Sequence, residues 1–108
     1  MRKIQICMAL TAMMLTAPVY ATQSNPGDKD AYATAVVCTI VASKKGDQEG
    51  FNKSSRAVNF LGDRLGYSRQ KQSNDLVGMA SMLVATYRER PAEEANDVGR
   101  CKRRGFFS

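Results

Sequence analysis

The chain contains no histidine at any of its 108 positions. That absence removes the side chain that most often acts as a general base near neutral pH and most often ligates transition metals. Cysteine is nearly as scarce: of three residues, Cys7 lies in the N-terminal apolar run, leaving Cys38 and Cys101, 63 positions apart. Two cysteines at that spacing, with no companion ligands, do not make a zinc site. Apolar–polar alternation is never sustained long enough for a strand, so no Gly-rich phosphate loop can follow one.

Short motif matches do not restore a catalytic reading. Ser68 and Lys71 spell S-x-x-K, the nucleophile motif of penicillin-binding enzymes, but the chain is too short for that fold and its other motifs. Asn52-Lys53-Ser54 is formally a glycosylation sequon, which matters only in a eukaryotic secreted protein. Glu89, Glu93 and Glu94 are interspersed with Arg88 and Arg90, a pattern of mutually neutralised surface charge rather than of a paired acid and base. The expectation is a non-enzymatic protein with no catalytic residue, no metal site and no cofactor.

What is present begins at the N-terminus. Arg2 and Lys3 precede the mostly apolar run "IQICMALTAMMLTAPVY", and Val19-Tyr20-Ala21 places small residues three and one before a cut. This is the tripartite pattern of a secretory signal peptide, so residues 1–21 are expected to be removed and the protein to be periplasmic or secreted. Gln5, Thr11, Thr16 and Pro18 interrupt the run, whereas a membrane span needs about 20 continuous apolar residues. Removal leaves 87 of the 108 residues, one domain's worth. In an oxidising compartment Cys38 and Cys101 are expected to pair. The long loop they close gives a chain-entropy contribution of about 4 kcal/mol.

With Arg2 and Lys3 gone, 14 Lys and Arg face 10 Asp and Glu, a net charge of +4. In that compartment an acidic protein, anionic lipid or cell-wall polymer is the implied counterpart, not nucleic acid.

Residues 22–28, within "TQSNPGDKD", read as a flexible leader, followed by a single domain over 29–108. Four segments carry helical spacing. The first is expected from about Lys29 to the stop at Gly46, with Tyr32, Ala35, Val36, Thr39 and Ile40 on its face. The second, Gln48 to Leu65, places Phe51, Ser55, Val58, Leu61 and Leu65 on one stripe with Ala57 and Phe60 beside it, and Gly66 beyond its end. "YSRQKQS" is expected to connect it to a third helix capped by Ser73 or Asn74 and running to about Arg90. Leu76, Met79, Ala80, Leu83 and Tyr87 form that helix's core face, with Val77 and Val84 flanking. The fourth starts at Pro91, with Glu93 and Glu94 at the positive end of its dipole and a basic run at its negative end. The fold class expected is all-α: a small bundle of about four helices, stapled by one disulfide between the first and the last.

The terminal stretch "GRCKRRGFFS" carries the one candidate surface. Arg100, Lys102, Arg103, Arg104, Phe106 and Phe107 combine cations with aromatics and form a possible partner-binding patch, although cations also suit a helix C-terminus before the stop at Gly105. A reactive Cys101 thiolate beside these cations is disfavoured by the same helix end and by oxidation.

The sequence therefore points to a small exported binding protein acting through its surface, whose partner is another envelope or secreted protein. It would be an accessory component of an envelope assembly or an inhibitor or immunity protein for a toxic enzyme. A periplasmic stress chaperone and an exported basic membrane-active protein are the alternatives.

Overall fold

The computed structural model describes residues 26–108. The expected signal peptide, residues 1–21, and most of the expected leader lie outside the described residues. Among the described residues there are four helices and no strand: α1 Pro26–Lys45, α2 Gln48–Arg64, α3 Arg69–Glu89 and α4 Pro91–Arg103. The all-α class and the element order are as the periodicity requires.

The three expected glycine stops are all in place. Gly46, Gly66 and Gly105 have φ of 74°, 80° and 84°. Each follows a helix whose last carbonyls are capped by a reversed turn: Asp47 N–H donates to Ala42 O, Tyr67 N–H to Gly62 O and Phe106 N–H to Cys101 O, at 2.8 to 3.0 Å. A left-handed residue is needed at each site, and glycine adopts it without a Cβ penalty.

α1 is the central element and packs against the other three helices. It carries no charge from Ala31 to Ser43, which is why it can be covered on several sides. Its buried threonine hydroxyls are satisfied locally: Thr34 Oγ1 donates to Asp30 O at 3.0 Å and Thr39 Oγ1 to Ala35 O at 2.8 Å. Around its C-terminal half, Val41 and Ala42 pack with Leu83, Tyr87, Phe107 and the two cysteines. Around its N-terminal half, Tyr32, Ala35 and Val36 pack with Val58. The disulfide Cys38–Cys101 joins α1 to α4 with 5.7 Å between Cα atoms, and both cysteines are fully buried.

Side-chain ties give the helix directions. α2 and α4 run antiparallel to α1, with Arg64 on Asp28 at 3.3 Å and Lys44 on Glu94 at 3.0 Å. α3 runs parallel to α1: the Tyr32 hydroxyl reaches Asp75 at one end, and the Lys44 ammonium lies 5.3 Å from the centre of the Tyr87 ring at the other.

Three boundaries or faces differ from expectation. α1 begins at Pro26 rather than Lys29, taking in the last residues assigned to the leader, because proline in a first turn forfeits no intrahelical bond. α3 begins at Arg69, so "SRQKQS" is not a connection: Ser68, not Ser73 or Asn74, is the N-cap and accepts from Lys71 N–H at 3.0 Å. In α2 the innermost stripe is Gly50, Ser54, Val58 and Gly62, rotated from the expected one, and Phe60 stands 60% exposed beneath the Arg64 guanidinium. Small residues face inward here because space is short. A Cβ on Gly62 would lie 2.7 Å from the buried Gln72 side chain, and one on Gly50 would lie 2.8 Å from the Phe107 ring.

Candidate functional site

The expected C-terminal patch is divided by the fold. Phe107 is buried in the core and Phe106 packs half-buried against both apolar clusters, so the aromatic half serves the interior. Arg100 is ion-paired to the buried Asp97, and Arg104 lies 3.9 Å from Asp30. Lys102 and Arg103 remain exposed in the last turn of α4, where the helix dipole favours cations. Cys101 is oxidised and buried, and is no thiolate.

Two tyrosine–carboxylate clasps hold α3 in place. Tyr32 on α1 donates to Asp75 at 2.7 Å, and Lys71 reaches the same carboxylate at 3.2 Å. Tyr87 donates to Asp97 on α4, which also accepts from Arg100. Burial, and next the hydrogen bond to the carboxylate, pushes both phenols well above their ordinary value of 10.0. A phenol held in its protonated form this way fastens α3 to the neighbouring helices. At the α2–α3 corner, Arg69 and then Gln72 hydrogen-bond Asp63 and hold its carboxyl below the ordinary range. Glu94 is tied to Lys44. Among the described residues no group of three or more His, Cys, Asp or Glu side chains could hold a metal ion.

The feature that remains is an apolar groove of about 440 Å³ between the C-terminal halves of the parallel helices α1 and α3. Ile40, Val41, Ala80, Leu83, Val84 and Tyr87 line it with Ser43, and among the described residues Lys44 and Arg88 are its only charged lining. It continues a longer open face. On α1, Ala33, Val37, Ile40 and Lys44 follow one another at spacings of four, three and four. On α3, Val77, Ala80, Val84 and Arg88 do so at three, four and four. Both rows advance 11 residues, about three turns or ~16 Å. Val77 and Val84 are 66% and 57% exposed, although their position beside the core stripe would place them among its flanking members.

Sequence reasoning did not identify this face. The available signal was the length of the uncharged run, Leu76 to Tyr87 on α3. A helix covered on one side needs only an apolar stripe, so three uncharged turns all round exceed what the core can absorb. No helix among the described residues is long and apolar enough to cross a membrane. No protein-family model matches this chain, and no curated protein or solved structure resembles it at a significant level.

Proposed function

We propose that the protein is a small exported, non-enzymatic binding protein that docks another envelope or secreted protein, as an accessory component of an envelope assembly or as an inhibitor of a toxic enzyme. The single observation that carries this reading is the uncovered α1–α3 face, with two exposed valines above an apolar groove on a disulfide-stapled scaffold. Large exposed aliphatic side chains adjoining a concavity are characteristic of interaction surfaces, since each costs solubility without contributing to the core. Export supports the same conclusion through the signal-peptide pattern and through the disulfide, a bond that persists in oxidising compartments.

The membrane-active alternative has less behind it, because the aromatics it relies on are turned into the core. The test is site-specific photo-crosslinking in the native envelope, with the crosslinker at position 84 and a control at the exposed Asn59 of α2. A discrete protein adduct from position 84 that is absent from position 59 and lost on Val77→Asp is the expected result. Lipid adducts alone, or equal labelling from both positions, would refute the reading.

A further inference from the structure

The groove has a polarity that specifies its occupant. α1 and α3 are parallel, so the negative ends of both helix dipoles lie together at one end, where Lys44 and Arg88 also stand. Lys44 is engaged by Glu94, whereas Arg88 makes no ion pair among the described residues. None of the described acidic residues lines the groove. Resting on the binding function proposed above, we infer that the occupant is an amphipathic helix of the partner protein that runs antiparallel to α1 and α3 and carries Asp or Glu in its first turn, opposite Arg88.

The fold already contains one helix seated by these rules. α4 starts with Glu93 and Glu94 at the cationic end of α1, sets Glu94 on Lys44 at 3.0 Å and runs antiparallel to α1 as far as Cys101 and Arg104. Acidic residues are stabilised in a helix's first turn by its own dipole, and antiparallel neighbours place that turn beside cations at the C-termini of the helices it packs on. The open face offers the same elements to a second helix: an apolar floor, two parallel walls, and the Arg88 cation at the end where an antiparallel helix begins. Its length of about three turns admits a partner segment of roughly 11 residues, anchored by apolar side chains at spacings of three and four. A helix entering the other way would bring its own negative end, and the cations that favour it, against Lys44 and Arg88.

Two synthetic 14-residue amphipathic peptides of identical apolar spacing serve as probes, one with Glu at its first three positions and Lys at its last three, the other with these ends exchanged. Binding is measured by fluorescence anisotropy to the full mature domain with its disulfide intact. The Glu-first peptide should bind at least about tenfold more tightly, Arg88→Glu should abolish or reverse that preference, and Val84→Asp should weaken both peptides without lowering the melting temperature. Equal affinity for the two peptides, or a preference that Arg88→Glu leaves intact, would overturn the inference. So would no measurable binding of either peptide. Two further arms separate other occupants. Wild-type dimers that dissociate on Val84→Asp would assign the face to a second copy, and Val84-dependent binding to anionic vesicles would assign it to lipid; either overturns the inference. A protein adduct from position 84 with no charge-order preference would retire the helix polarity while leaving the binding function standing.

Discussion

Gly62→Ala is expected to destabilise the domain, although alanine is the better helix former. The substitution in a helix interior is worth about 1 kcal/mol in alanine's favour on propensity alone. At position 62, however, the new Cβ would fall 2.7 Å from Gln72 Cδ and Nε2. Gln72 cannot simply swing aside: it is 2% exposed, and its Nε2 donates to Asp63 Oδ1 and to Tyr67 O, each at 3.0 Å. Losing two hydrogen bonds costs about 2 kcal/mol net, and overpacking adds roughly 1 to 3 kcal/mol. Set against the propensity gain, the result is a loss of roughly 2 to 4 kcal/mol. Gly78 on α3 is the matched control, because a Cβ added there would meet nothing within 4 Å; Gly78→Ala should stabilise by about 0.5 to 1 kcal/mol. Urea unfolding of the oxidised domain measures both, together with Gly62→Ala in a Gln72→Ala background, where the penalty should disappear. A Gly62→Ala protein as stable as Gly78→Ala, or a penalty that survives removal of Gln72, would refute the packing argument.

Other perturbations probe the rest of the structure. Leu83→Ala should cost about 2 to 5 kcal/mol, whereas Val84→Ala, one residue along the same helix, should change stability by less than about 0.5 kcal/mol; similar melting temperatures would mean that the α3 faces are misassigned. Reducing Cys38–Cys101, or replacing both residues with Ala, should remove about 4 kcal/mol and leave the domain marginal at best, as thermal unfolding with and without reductant would reveal. Thiol titration of the oxidised, denatured protein should find neither cysteine free. Because the Tyr32 and Tyr87 phenols are raised above their ordinary 10.0 in the fold, the unfolded chain ionises them first. The stability they confer should be complete below about pH 10 and decline as pH rises beyond it toward their folded values. Alkaline unfolding of the wild type against the Tyr32→Phe/Tyr87→Phe double variant isolates this contribution, and an unchanged slope between the two would exclude it.

Much of this protein is written locally in its sequence. Helix stops at Gly46, Gly66 and Gly105, the Pro91 start and the acid-to-base order of α4 are one-residue or one-turn effects, so they are legible without knowing what packs on what. The Cys38–Cys101 pairing follows from these being the only two cysteines outside the N-terminal apolar run that holds Cys7, and the four-helix class follows from apolar spacing alone. The start of α3 was less legible because Ser68, Ser73 and Asn74 are all good caps. The choice fell to Ser68 once Gln72 could bury its amide against Gly62 and hydrogen-bond Asp63 and Tyr67.

Tertiary structure alone decided which apolar residues the core uses. Phe60 and Phe107 are the same residue type, yet the first lies in solvent and the second fills the space above Gly50. Val84 and Leu83 are neighbours in one uncharged run, yet only the leucine is enclosed. Periodicity reports that a helix has an apolar side, but not how wide a side its neighbours will cover. That width depends on how closely the backbones approach, and here the small residues of α2 and the disulfide to α4 draw those helices onto α1 and leave the α1–α3 face open. The parallel run of α1 and α3 is likewise set by packing, because the chain must pass through α2 before it returns beside α1, and it is this direction that gathers Lys44 and Arg88 at one end of the groove.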